Sequence, residues 1–174
     1  MKKTTTVEIF TATHRISGQV SPGPAGLFSF LNLPTESSVE VEEAELNLLY
    51  LVGQPPELCP KLWLVKNEMV AVLVRSLGEL GPASAVRGGY TKPFPHAVRI
   101  VIGGYELRGL IQGGGRFDFR SLMFEGESRF LPLFDGKLSA LLFPKVREEA
   151  PGILFNRAMV STMSPLPREP APPG

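Results

Sequence analysis

Cysteine and histidine are scarce. Cys59, His14 and His96 are the chain's only residues of those two types. A lone cysteine excludes a disulfide within the chain and points to a reducing compartment. One thiol and two histidines give no zinc-ligand spacing, so no metal is expected. No apolar run approaches a membrane span. The start, Met1-Lys2-Lys3-Thr4-Thr5-Thr6, has no apolar stretch behind it, which argues against a secretory signal and for a cytoplasmic protein.

Catalytic constellations are lacking too. Cys59 sits in Pro55-Pro56-Glu57-Leu58-Cys59-Pro60, which reads as a loop packed on the body of the protein, not as an activated nucleophile. Gly113-Gly114-Gly115-Arg116 has neither the Lys-Ser/Thr ending of a phosphate loop nor dinucleotide-fingerprint spacing, so it reads as a flexible turn. Arg116 and Arg120 stand four apart, as in the cyclic-dinucleotide-binding PilZ barrels, but the second half of that motif is missing. Neither an enzyme nor a cofactor is expected.

What is present is a repeat. The stretch from Val7 to Leu73 returns, altered, from Val98 to Met163. Gly18 in Arg15-Ile16-Ser17-Gly18-Gln19-Val20 answers to Gly109 in Glu106-Leu107-Arg108-Gly109-Leu110-Ile111, 91 residues on. Phe28 and Phe30 answer to Phe117 and Phe119 at 89, and Leu46 to Leu138 at 92. The run Leu64 to Val72 answers to Leu154 to Thr162 at 90. A repeat this long is a folding unit, not a motif. The expected organisation is a first β unit over 1–74, a Gly/Pro-rich linker over 75–97, a second unit over 98–163 and a disordered Pro-rich tail over 164–174. Each unit is small for an independent domain, so a shared interface is expected.

The segments read mostly as strands: Val7 to Phe10, Arg15 to Val20, Val39 to Val41, Leu46 to Val52, Leu62 to Val65 and Met69 to Leu73. Helical periodicity is weak: Leu27–Asn32 and its partner Arg116–Met123 read as one helical turn or an irregular loop each, and Leu77–Leu80 as one turn of helix. Lys66-Asn67 and Asn156-Arg157 read as tight hairpins, as do Ala12-Thr13 and Gly103-Gly104. Five short strands per unit suggest a small barrel or strongly bent sheet. The fold expected is mostly β: two tandem small barrels, Sm-like or SH3-like, packed as a pseudo-dimer.

Charge is uneven between the units. Val7–Val74 carries three basic residues against eight glutamates; Val98–Met163 carries nine basic against seven acidic. Such halves can attract, within a chain or head-to-tail between chains. Solvated strand faces explain the same pattern.

The blocks resemble the Sm-like small β-barrels, the Hfq and LSm class. Gly18-Gln19-Val20 matches that family's Gly-x-hydrophobic strand. Ser29-Phe30-Leu31-Asn32 matches its Asp-x-x-Asn loop with Ser29 for Asp, Glu43-Ala44-Glu45 its acidic-Ala pair, and Lys66-Asn67 its closing turn. In the second unit Gly109 and Asp118 match, Ser121 replaces Asn, and Asp135-Gly136 and Asn156-Arg157 complete the pattern. The blocks are also similar to a family of small bacterial β domains with a Phe-Leu-Pro-Leu-x-Asp run, here Phe130 to Asp135.

The resemblance implies a nucleotide pocket built from the loop and closing-turn residues, split here between units. Candidate contacts to RNA or single-stranded DNA are Asn32, Lys66, Asn67, Arg116, Asp118, Arg120, Asn156 and Arg157. Phe117 and Phe119 alternate with charges in a way that suits base stacking, but Phe28 and Phe30 hold the same places in the acidic unit, which favours the core for both. The expected role is a non-enzymatic interaction or scaffold module that binds itself or another protein. Small barrels with open strand edges suit such pairing. The alternative is a nucleic-acid-binding module.

Overall fold

The structure, a computed structural model, describes residues 3–84 and 94–167. Its elements run through one sequence of types twice. The first half has β1 (Thr5–Phe10), β2 (His14–Val20), α1 (Gly26–Leu31), β3 (Ser38–Leu48), β4 (Glu57–Val65), a 3-10 turn (Lys66–Glu68) and β5 (Ala71–Val74). The second has β6 (Phe94–Ile102), β7 (Tyr105–Gly113), α2 (Phe119–Phe124), β8 (Phe130–Ala140), β9 (Arg147–Asn156), a 3-10 turn (Arg157–Met159) and β10 (Val160–Pro165). Two further 3-10 turns, Leu77–Leu80 and Pro82–Ser84, follow β5.

The fold is mostly β with little helix, as the segments implied. All ten strands belong to one antiparallel sheet in the order β10-β6-β7-β8-β9-β5-β1-β2-β3-β4. The sheet is continuous and does not close on itself. Within each half the fifth strand lies beside the first. The halves meet where β5 pairs β9, with Ala71 opposite Phe155, Val72 opposite Leu154, Leu73 opposite Ile153 and Val74 opposite Gly152.

A single device bends the long strands in both halves. Gly18 pairs Val7, and Gly109 pairs Val98. Opposite each glycine the register with the next strand slips by one residue. Glu43 and Asp135 occupy the slips with φ of 49° and 48°, the positive-φ non-glycine residues among the described ones. One extra residue there kinks β3 and β8. A Cβ on Gly18 would lie 2.4 Å from Val41 Cγ1, and one on Gly109 2.7 Å from the Phe134 carbonyl oxygen. Glycine is therefore what lets the kinked strand fold over its neighbour. Pro60 in β4 and Pro151 in β9 stand where the ladder skips, so neither removes a ladder bond.

Two apolar clusters fill the molecule, and each borrows from the other half. The first gathers Val7, Ile9, Val39 and Val41 with Leu27 and Leu31 of α1, and takes in Phe130 and Leu154 from the second half. The other gathers Val98, Ile100, Leu107, Leu131 and Ile153, and takes in Phe10, Ala71 and Leu73 from the first. Core residues are thus exchanged between the two halves. Buried Tyr105 adds a polar tie. Its hydroxyl donates to the Thr11 carbonyl at 2.6 Å, and its ring meets Phe10 edge-on.

Several local expectations change. Val39–Val41 and Leu46 belong to one strand, β3, because the bulge bends the chain without ending it. Tyr50–Val52 falls outside it. Lys66-Asn67 and Asn156-Arg157 are not hairpins. The strands either side pair with different neighbours, so each 3-10 turn is a corner between sheet positions. The closing blocks correspond at 91, not 90, since Lys66–Glu68 matches Arg157–Met159 and the Glu8–Leu73 pair matches Arg99–Ser164.

Phe28 lies inside α1, whereas Phe117 precedes α2, so those two are not equivalent. The segment from Glu57 to Pro60 is the start of β4 and not a loop. The second unit begins in strand at Phe94, inside the expected linker, and β10 runs to Pro165, inside the expected tail. Residues 85–93 of the linker and 168–174 of the tail lie outside the described residues.

Candidate functional site

The sequence candidates gather mainly around Arg129 and Phe130, where the second half's β8 starts against the first half's α1. Asn32 ends α1. Its amide nitrogen donates to the carbonyls of Phe28 and Phe130, both at 3.0 Å, and its oxygen accepts from the Phe130 N–H at 2.8 Å. One side chain therefore ties a helix end to a strand 98 residues away.

Lys66 is 2% exposed, and its ammonium donates to the Phe30 and Leu33 carbonyls at 3.4 and 3.2 Å. These are carbonyls at the end of α1, where a helix leaves acceptors unsatisfied and favours a cation. Burial pulls the Lys66 pKa below its ordinary value, against the opposing pull of Glu36. Arg157 holds the matching position in the second half and does the same work. It donates to Leu122, Glu125 and Gly126 carbonyls at the end of α2. A long cation at the first residue of each 3-10 corner caps the short helix of its own half.

The remaining candidates divide. Asn156 is 1% exposed; it donates to the Met69 carbonyl and accepts from the Ala158 N–H. Asn67 accepts from Arg129 at 2.7 Å. Asp118 accepts from the Ser121 N–H and so caps the start of α2. Arg116 and Arg120 are exposed and have no hydrogen bond or ion pair among the described residues. Phe117 packs half-buried on the second cluster, while Phe119 is exposed and meets Phe124 edge-on.

Asn32, Lys66, Asn67 and Arg129 line a pocket of about 230 Å³ that also carries Glu36 and Glu127. Its cations thus share the pocket with carboxylates. Arg15 borders another, of about 300 Å³, between the β3–β4 connection and Lys145–Glu148. Arg15 bridges Glu8 at 2.8 Å and Glu148 at 2.7 Å, an ion pair that joins the halves.

No group of three or more His, Cys, Asp and Glu able to hold a metal occurs among the described residues, and no helix of theirs is long and apolar enough to cross a membrane. Cys59 is half-buried, with Sγ toward the Lys61 carbonyl at 3.0 Å. His14 lies in the β1–β2 corner and His96 in β6, between the rings of Phe94 and Phe117.

The feature that sequence reasoning missed is the outer edge of the sheet. β4 is a terminal strand and exposes Leu58 (72%), Trp63 (62%) and Val65 (50%). At the other end β10 is terminal too, with Met163 half-buried. A strand pattern around Trp63 was visible, but which strand would be left outermost depends on the whole sheet order. No family model, curated protein or solved structure matches the chain.

Proposed function

We propose that this chain is a non-enzymatic interaction module that associates with itself, each half acting as a small bent-sheet unit of the Sm-like or SH3-like kind. The observation that carries the reading is the β4 edge, unpaired among the described residues, with Leu58, Trp63 and Val65 largely exposed. An open edge presents a row of backbone donors and acceptors, and apolar side chains beside it favour covering by another chain. The fifth-beside-first strand order in each half supports the small-barrel kinship. The lone thiol is in keeping with a reducing, cytoplasmic setting.

Light scattering on the eluting full chain tests the reading. A mass that rises above the monomer's with concentration is expected, and a strict monomer across the micromolar range would sink it.

Nucleic-acid binding is the second reading, and Arg116 and Arg120, exposed and without an ion pair among the described residues, favour it. Against it, Asn32, Lys66, Asn156 and Arg157 spend their polar atoms on backbone groups. A shift assay with single-stranded RNA separates the two. Binding that weakens steeply with salt and is lost in Arg116→Ala/Arg120→Ala supports nucleic-acid recognition; no shift at low salt removes it.

A further inference from the structure

We infer that the partner for the β4 edge is the β10 edge of a second copy, joined in the register that already holds the two halves of one chain together. The inference rests on the self-association reading and specifies its geometry. Inside the chain the junction is made by β5, the fifth strand of the first half, and β9, the fourth strand of the second. The equivalents of that pair are β10 and β4, and these are the two strands at the ends of the sheet, each with an outer edge that no strand of the described residues pairs. The half-units are therefore joined head-to-tail once within the chain, and the surfaces for repeating the same joint remain at either end.

Residue correspondence fixes the register. At the offset of 91 shared by the corners and strand pairs, Val72 corresponds to Met163 and Leu154 to Trp63. The four pairs of the internal junction then become Thr162 with Leu64, Met163 with Trp63, Ser164 with Leu62 and Pro165 with Lys61 of the next chain. The external ladder is one bond shorter than the internal one, since Pro165 at the place of Val74 has no N–H to give Lys61, and Pro60 then follows as Pro151 does inside the chain.

The cores make the same demand. Leu154 is fully buried and belongs to the first half's cluster, beside Val72, although its strand comes from the second half. In the second half's cluster the matching place beside Met163 receives no such residue among the described ones, and Met163 is only half-buried. Trp63, the counterpart of Leu154, stands 62% exposed. Seating Trp63 of one chain beside Met163 of the next covers both. Charge agrees, because the joint sets the acidic first half of one chain against the mildly basic second half of another. A heterologous joint of this kind closes into a ring or continues as a filament.

Two measurements test it. Trp63 is the chain's one tryptophan, so its emission in the unaltered protein should shift to the blue as concentration rises. Lys61→Cys and Pro165→Cys, both exposed positions, are combined in a Cys59→Ser background. Directly opposed residues in antiparallel strands come close enough for a disulfide. The double variant should give covalent multimers on a non-reducing gel, each single variant little or none. Trp63→Glu should remove the association at unchanged circular dichroism.

A strict monomer ends the self-association reading itself. A multimer in which Lys61→Cys alone cross-links, or the double variant does not, overturns the head-to-tail joint and leaves association through some other surface. Association with no movement of the Trp63 emission overturns the joint as well.

Discussion

Replacing Asn32 by alanine separates a structural staple from a ligand contact. The side chain makes three hydrogen bonds, two of them to Phe130, which is itself fully buried. A typical bond contributes about 1 kcal/mol net, and a buried donor left without a partner costs about 1–3 kcal/mol. The Phe28 carbonyl keeps the Asn32 backbone N–H after the change, so that loss is partly cushioned. The Phe130 N–H has no such substitute. Asn32→Ala should therefore cost about 2–4 kcal/mol, a large share of the ~5–15 kcal/mol that keeps a domain folded.

Asn32→Asp should do no better. It retains an acceptor for the Phe130 N–H but turns a second oxygen toward two carbonyls. Urea unfolding followed by circular dichroism reads both, at fixed protein concentration so that association does not shift the baseline. With a slope of about 2 kcal/mol per molar urea, the middle of the usual range, the midpoint should fall by roughly 1–2 M at unchanged slope. A change under about 0.5 kcal/mol, within the range of ordinary surface substitutions, would refute the reasoning. Asn32 would then be free to serve a ligand.

Three other outcomes follow from the same geometry. Burial raises the Tyr105 pKa above its ordinary value, so the folded chain holds the phenolic proton more tightly than the unfolded one. That stabilisation is complete below pH ~10 and should fade by about 1.4 kcal/mol per pH unit above it; Tyr105→Phe should lose about 1–2 kcal/mol at neutral pH and flatten the alkaline decline in urea-derived stability. Gly18→Ala and Gly109→Ala should each cost about 1–3 kcal/mol by overpacking at the kink, whereas Gly104→Ala meets no atom within 4 Å and bears only the strain of its φ of 87°; thermal melts rank the three. The folded Lys66 binds its proton less readily than the unfolded side chain, so stability should rise with pH between its lowered pKa and the ordinary 10.5; Lys66→Met should remove that rise, which paired pH titrations of stability would show.

The repeat itself was legible because its marks are local. Gly18 and Gly109 sit at the same point of the same hairpin, and Gly103-Gly104 supplies the positive φ that its turn uses. The caps were legible only as residue types. Lys66 and Arg157 read as turn cations, and nothing within a few positions of either says that its charge will bury itself against a helix 33 or 35 residues back. The apparent hairpins failed for the same reason. A strand, a polar corner and a strand look alike whether the strands pair with each other or with distant neighbours. The closing blocks look one residue out of step because Met69 and Met159 are alike in type, while the corners put Met159 at the place of Glu68. Sheet order was beyond local reading altogether, and with it the identity of the two edge strands.

Duplication gives a way to divide the residues by purpose. What both halves keep is framework: the kink glycines, the positive-φ residues Glu43 and Asp135, the prolines facing them, and the cations at the corners. Most of the residues first suspected of touching nucleic acid fall in this class or brace the join between halves. Function is better sought where equivalent places diverge. Leu154 is buried and its counterpart Trp63 is largely exposed; Val72 is buried and its counterpart Met163 only half so. Two positions paired with each other inside the chain become two positions on the outermost strands, each paired on its inner side. A single framework explains both states if the outer pair meets its match on another molecule. The exposure of Trp63 is then a consequence of being last in the sheet, not an isolated defect of one strand.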